Sequence, residues 1–330
     1  MKKLICSCIM GAFALQLYAQ DTFSIIAVDP ATGEIGSAGA SCVTGVGANG
    51  IIDIITKIIP GRGGVNSQAY VCIPNVNLNN AIAQMEAGSN PTEIIDWLYN
   101  NDACSSQSFN PEYRQYGIAD FDSNGDPRTA GFSGVSTDDY KEDRQGATYS
   151  IQGNILLNQS VIDNMENNFN NTVGTLADKL MAAMQGANFA GADSRCLADG
   201  TSSTTAYLLV YRPEDDPTAP YIRLNVGQQA FGIEPIDLLQ DLYDAFLGTE
   251  SLELASKITL SPNPVSNLLH ISSEASVSIL KYQIMDVNGK VIASNVYASQ
   301  KIDVSGLSQG LYFLKLYTQQ GTVSMKFIKK

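Results

Sequence analysis

A single histidine, His270, stands among the 330 residues, and the first 269 contain none. That removes Ser-His-Asp and Cys-His hydrolysis from most of the chain, because both need an imidazole base beside the nucleophile. Zinc centres built on several histidines go with them. An active site within residues 1–250 must take its base from a carboxylate, a lysine or a free amine. None of the 6 cysteines falls at Cys-x-x-Cys spacing, so neither a thiolate metal site nor any other cofactor is expected. Asp120-Phe-Asp-Ser-Asn-Gly-Asp opens like a calcium loop, but Gly131 stands where the twelfth-position glutamate belongs. Asn124-Gly125 reads instead as a hairpin turn.

The elements that must position any such chemistry fall into two parts. With 44% hydrophobic and 16% charged residues the chain can bury a core. A net charge of −13 argues against nucleic acid or an anionic membrane as partner. The charge is uneven: residues 20–254 carry 10 Lys+Arg against 30 Asp+Glu, and residues 255–330 carry 8 against 3. Before both lies a basic Lys2-Lys3 pair, a short apolar run from Leu4 to Leu17, and a small residue, Ala19, ahead of Gln20. This reads as a secretory signal over 1–19, the run falling short of the roughly 20 residues a spanning helix needs. Export leaves Cys42, Cys72, Cys104 and Cys196, enough for two disulfides in three pairings. The polar, loop-like contexts of Cys104 and Cys196 favour that pair, while Cys42 and Cys72 sit in strand-like runs as small apolar residues.

In the first part, strand patterns cover Thr22–Val28, Glu34–Val43, Tyr70–Ile73, Gln115–Asp120, Ala147–Gln152 and Thr205–Tyr211. Helical periods cover Val76–Ala87, Pro91–Tyr99, Ser160–Phe169, Thr175–Gln185 and Pro235–Phe246, with Gly248 as the stop of the last. An α+β domain over 20–247 follows, then a linker at 248–256. Residues 257–330 read as a small all-β sandwich of short strands, with a turn at Asn288-Gly289 and His270 at a half-buried strand position.

Two resemblances are carried by particular residues. Leu260-Ser-Pro-Asn-Pro-Val-Ser, Asp286-Val-Asn-Gly-Lys-Val, Leu307-Ser-Gln-Gly-Leu-Tyr-Phe-Leu-Lys-Leu and the terminal Lys326-Phe-Ile-Lys-Lys resemble the C-terminal sorting domain of Bacteroidetes type IX secretion cargo. The resemblance implies export through the periplasm to the outside or the cell surface, with residues 257–330 read by the type IX translocon as partner. Residues 22–247 resemble the domain-of-unknown-function 1028 family, placed among the N-terminal-nucleophile (Ntn) hydrolases. The residues that carry this are Thr22-Phe-Ser-Ile-Ile-Ala-Val-Asp-Pro-Ala-Thr-Gly-Glu-Ile-Gly, Asn66-Ser-Gln-Ala-Tyr, Arg114-Gln-Tyr-Gly-Ile, Tyr149-Ser-Ile-Gln-Gly-Asn-Ile-Leu and Gly191-Ala-Asp-Ser-Arg.

This second resemblance implies a four-layer αββα sandwich and a Thr, Ser or Cys nucleophile whose own α-amine is the base, which fits a domain without histidine. Thr22 is the candidate nucleophile, provided processing removes Gln20 and Asp21 as well as the signal. Lys57 is a candidate cation for lowering the amine's pKa. Asn154, Gln68 and Gln152 carry amides suited to a substrate or a developing oxyanion, or, for Asn154, to capping a turn. Asp193 and Arg195 either pair with each other or bind a substrate carboxylate through the guanidinium. Two functions compete: an exported hydrolase of small-molecule or peptide amides, and an inert scaffold of the same fold kept as a secreted binding protein.

Overall fold

The computed structural model describes residues 22–287 and 290–330. The expected signal at 1–19, the junction before Thr22 and the expected Asn288-Gly289 turn lie outside the described residues. The chain forms two compact units that meet in sequence at Gln240 and Asp241.

The elements that begin in the first unit are β1 (Phe23–Val28), β2 (Ile35–Ser41), α1 (Ile52–Ile55), β3 (Thr56–Ile59), β4 (Gly63–Gln68), α2 (Val76–Glu86), α3 (Pro91–Asn100), β5 (Gln115–Phe121), β6 (Pro127–Ser133), β7 (Glu142–Gln145), β8 (Tyr149–Gly153), α4 (Ser160–Asn171), α5 (Leu176–Gly186), β9 (Thr205–Tyr211), β10 (Ile222–Val226) and α6 (Pro235–Ser256). They build two antiparallel sheets, in the orders β10-β9-β2-β1-β8-β7 and β3-β4-β5-β6. Asp29 sets the β1–β2 turn: its Oδ1 accepts the Ala31 N–H at 2.9 Å, and Gly33 closes the turn at φ 74°.

Alternation along β1 divides its side chains between two environments. Gly36, opposite Ala27, lies so close to the Leu180 side chain of α5 that a Cβ would approach it to 2.5 Å. The Phe23, Ile25 and Ala27 side chains therefore face α5. Ser24 and Ile26 face the other sheet, where Ser24 bonds Gln68 and Ile26 meets Gly64. β1 contacts β4 and β5, and β8 contacts β5. α4 and α5 pack on strands of the first sheet, while α2 and α3 pack on strands of the second. The helices start where the chain supplies caps: Asn90 with Glu93 and Pro91 opens α3, and Thr175 with Asp178 opens α5. Leu78, Ala81 and Met85 of α2 and Ile94, Ile95 and Leu98 of α3 bury one stripe against Val65, Tyr116 and Ile118.

Three expectations are corrected. Tyr70–Ile73 is no strand: Ala69 and Tyr70 take φ 60° and 49°, turning the chain out of β4, which occupies Gly63–Gln68 instead. Gly248 does not end α6, which continues through the expected linker to Ser256. Its φ is not left-handed and nothing crowds it, so it costs only the ordinary propensity of a mid-helix glycine. Cys104 and Cys196 do not pair. Cys42 bonds Cys196 and Cys72 bonds Cys104, with Cα separations of 5.8 and 5.5 Å. The reason is sheet order. Cys42 leaves β2 beside β9, and the turn carrying Cys196 feeds β9, so Thr204 N–H reaches Ser41 O at 2.9 Å. Cys72 and Cys104 follow β4 and α3 of the other sheet and its helices.

The second unit carries β11 (Ile258–Ser261), β12 (Leu268–Ser273), β13 (Ile279–Met285), β14 (Val291–Val296), β15 (Lys301–Asp303), β16 (Gly310–Thr318) and β17 (Gly321–Lys329). They form antiparallel sheets in the orders β11-β12-β15 and β14-β13-β16-β17, around a core that includes Val265, Leu269, Ile284, Leu314 and Phe327. His270 is half-buried in β12, opposite Ser261 and Lys301.

Candidate functional site

Thr22 sits one residue before β1 and is fully buried. By the register of β1 with β8, it faces Asn154. Its N–H donates to Asn154 Oδ1 at 3.1 Å, and the Asn154 N–H donates to its carbonyl at 3.2 Å. Gln68 Nε2 donates to the same carbonyl at 2.8 Å, reaching across from β4. By alternation with Ser24 and Ile26, the Thr22 side chain lies on the face between the sheets.

Around it the layer between the sheets is polar. Ser24 Oγ donates to Gln68 Oε1 at 2.6 Å and accepts from Asn66 Nδ2 at 3.1 Å and from Gln152 Nε2. Ser37 Oγ donates to Asn66 Oδ1 at 2.9 Å and accepts from Tyr207 Oη at 2.8 Å. Gln115 Oε1 accepts from Gln68 Nε2 at 2.7 Å, while its own Nε2 donates to Ser133 Oγ and to the Gly153 carbonyl. Every one of these side chains is buried except that of Ser133. Burial pushes the Tyr207 phenol well above its ordinary pKa, with Ser37 pulling the other way, so it stays protonated. Glycine makes the room: a Cβ on Gly117 would stand 1.8 Å from Gln152 Oε1. Toward the far ends of β1 and β5 the layer turns apolar, with Ile26, Val28, Ile35, Ala119 and Phe121.

Asn154, Gln68 and Gln152 are thus brought together around Thr22, but the two glutamines do not line an open surface. Gln68 Nε2 donates to the Thr22 carbonyl and Gln115, and Gln152 Nε2 donates to Ser24, all inside the layer. Lys57 is not brought there. It pairs with Val65, whose side chain packs against α2 and α3, so alternation sends Lys57 to the helix side of its sheet, where it bonds Asn79. Lys57 is therefore placed beside Asn79 of α2 and not beside the Thr22 nitrogen whose pKa it was expected to lower. Arg195 forks onto Asp193, Nε to Oδ1 at 2.9 Å and Nη2 to Oδ2 at 2.6 Å. Asp193, fully buried, also accepts the Cys42 N–H at 2.8 Å. The pair ties the disulfide-bearing turn to the end of β2, which is the structural alternative of the two.

The expected calcium-like segment forms the β5–β6 hairpin turn, with Asp122 Oδ1 accepting the Asn124 and Asp126 N–H groups at 2.7 and 2.9 Å. Asp120 points inward to arginines. No group of three His, Cys, Asp or Glu among the described residues is placed to hold a metal ion.

The loops that flank Thr22 are held in uncommon backbone conformations. Ala69 and Tyr70 follow Gln68, and Ile155 (φ 52°) follows Asn154; such residues persist only where their surroundings fix them. Arg114 does much of the fixing. Its guanidinium, 1% exposed, binds Asp102 at 2.8 Å and donates to the carbonyls of Tyr70, Cys104 and Ser106. Tyr70 Oη then reaches Asp138 at 2.6 Å. Ser24, Ser37, Tyr207 and the Arg114–Asp102 pair escape a reading of the sequence as site residues. For the residues between the sheets the one signal is small or polar residues at alternate strand positions, as in Gly64, Asn66 and Gln68.

Comparison with known proteins gives these arrangements a family. Residues 22–236 match the family of unknown function DUF1028, and residues 259–330 match the secretion system C-terminal sorting domain. Among solved structures, protein SPO2555 from Silicibacter pomeroyi, of the same DUF1028 family, is 26% identical, covering 68% of this chain and 88% of its own, with a TM-score of 0.52. The Anbu protein of Yersinia bercovieri (8% identity, 69% and 96% coverage, TM-score 0.35) and PorZ of Porphyromonas gingivalis (9% identity, 38% and 21% coverage, TM-score 0.20) also match, at values that support no conclusion about this chain. None of the curated proteins matches it. The sorting tail supports a secreted or cell-surface location and engagement with the secretion system. The chain belongs to the DUF1028 family and ends in a type IX secretion sorting domain.

Proposed function

We propose that this is an exported amide-bond hydrolase in which Thr22, freed as the mature N-terminus, is the nucleophile and its own α-amine the base. The observation that carries the proposal is the setting of Thr22. It stands at the head of β1, on the face between the sheets, with its nitrogen held by Asn154 Oδ1 and its carbonyl by Gln68 and Asn154. A free α-amine has a pKa of roughly 8, so part of it is neutral near pH 7. Thr22 Oγ1 would attack the amide carbon while the amine takes the hydroxyl proton. The amine then returns that proton to the departing nitrogen as the C–N bond breaks, and water hydrolyses the Thr22 ester. Asn154 and Gln68 orient Thr22, and Gln152, Ser24 and Gln115 hold Gln68 in turn. The substrate class is a small-molecule or peptide amide. The two facing sheets, each with its own pair of helices, support reading the first unit as the αββα sandwich of the Ntn hydrolases.

A second reading, an inert scaffold that binds rather than cleaves, is favoured by the complete burial of Thr22 and by the internal pairing of the glutamine amides. Covalent trapping separates the two. Secreted protein treated with a β-lactone is expected to carry the acyl adduct on a peptide that begins at Thr22, and Thr22→Ala is expected to carry none. Wild-type protein that stays unmodified, and that turns over no amide Thr22→Ala leaves uncleaved, would establish the scaffold.

A further inference from the structure

At the other end of β5 a cleft of about 420 Å³ opens between Arg62, Gly88, Phe121, Asp122, Ser123 and Arg128. The seven-residue β5 runs from Gln115, in the Thr22 layer, to Phe121, in the cleft wall, roughly 20 Å at strand rise. Its volume falls in the range of small-ligand sites.

Two cations share one carboxylate here. Arg128 forks onto Asp120, Nε to Oδ1 at 2.8 Å and Nη2 to Oδ2 at 2.7 Å, which satisfies both oxygens. Arg62 Nη1 adds a second ion pair to Asp120 at 2.8 Å and bonds the Phe121 carbonyl, while its Nη2 reaches Ser89 O only at 3.4 Å. Asp120 is fully buried, yet the two arginine side chains stay 28% and 32% exposed. Arg128 Nη1 and Arg62 Nε donate to nothing among the described residues, so each guanidinium keeps an unspent edge. Asp122, the carboxylate in the wall, is committed to the hairpin turn through the Asn124 and Asp126 N–H groups. The floor at Gly88 is open, since a Cβ there would meet nothing within 4 Å. In a unit with 10 cations against 30 anions over residues 20–254, two arginines lining one cleft are a concentrated exception. Asp122 lies close enough to Arg128 for the two to stabilise each other's charges, so Asp120 and Asp122 balance the two arginines, and what the cleft offers an anion is the unspent guanidinium N–H groups rather than excess charge.

We infer that this cleft is a binding site for a small oxyanion, a carboxylate or a phosphate, held between the free edges of Arg62 and Arg128. Guanidinium forks suit both anions, through paired charge-assisted hydrogen bonds. The site is independent of Thr22 and stands whether or not the chain is a hydrolase.

Calorimetric titration of the whole secreted protein tests it, with inorganic phosphate in one arm and succinate in the other, over a chloride background. Saturable one-to-one binding in either arm is expected, and the arm that binds assigns the anion. Arg128→Gln is expected to weaken it about tenfold or more, the loss of one charge-assisted fork. Asp120→Asn, which releases both guanidinium groups from their internal anion, is expected to tighten it. Absence of saturable binding in both arms overturns the inference without any variant. So does binding that neither substitution changes in folded protein.

Discussion

The side chains of Asp102 and Arg114 are each 1% exposed and hold each other at 2.8 Å, so neither charge has water to fall back on. Asp102 also accepts the Asn77 amide and the Cys104 N–H, both at 2.9 Å. Burial first, and Asp102 second, push the neighbouring Tyr116 phenol well above its ordinary pKa, and the phenol accepts from Asn77 Nδ2 at 3.0 Å. Arg114→Met leaves Asp102 as an uncompensated buried charge, expected to cost about 3–5 kcal/mol in urea denaturation. It also frees the Tyr70 carbonyl, so the loop after Gln68 should lose amide-exchange protection while the strands keep theirs. This residue-level order was only partly legible in the sequence. Arg114 stands in a recognisable motif, but its partner Asp102 lies 12 residues before it in a loop, and no period links the two. Lys57 shows the converse. Its type invited a catalytic role, and only the register with Val65 reveals which side of the sheet it occupies.

Elements whose faces meet an apolar layer on one side and solvent on the other were legible from periodicity, as α2, α3, α4 and α5 show. β4 was not, because Gly63-Gly-Val-Asn-Ser-Gln packs its inward face against polar neighbours and so lacks an apolar alternation. Tyr70–Ile73 looks like a strand by composition but turns, because Arg114 and the Cys72–Cys104 bond hold it away from the sheet. Peptide mapping without reduction is expected to recover Cys42–Cys196 and Cys72–Cys104, with no Cys104–Cys196 peptide. By the chain-entropy argument the pairs, 154 and 32 residues apart, stabilise by about 5 and about 4 kcal/mol. The β1–β2 hairpin carries a pH signature. Burial raises the Glu34 pKa above 4.5, a shift that Arg212 only partly offsets. A carboxyl whose folded pKa is raised contributes stability below its unfolded pKa and loses that contribution as pH rises through the folded value. Glu34→Gln should therefore be neutral to stabilising near pH 7, and its relative gain should shrink as urea midpoints are taken below about pH 4.5.

At the scale of the molecule, the −13 net charge is the sum of an acidic segment over 20–254, a basic sorting domain with a different task, and the Lys2-Lys3 pair. Removal of residues 259–330 is expected to leave the protein in the periplasm, detected by fractionation, whereas the whole chain reaches the medium or the cell surface. That division was legible because composition changes sharply along the chain; the chemistry was not, because it depends on which residue comes first after processing. Histidine is absent from the first unit, and the base proposed for it exists only if the peptide bond before Thr22 is cut. The most direct test is N-terminal sequencing of secreted protein that forms the β-lactone adduct or cleaves an amide. Thr22 as the first residue is the predicted result. Active protein that still begins at Gln20, or further upstream, would contradict it, because the Thr22 nitrogen would then be an amide with no basic lone pair.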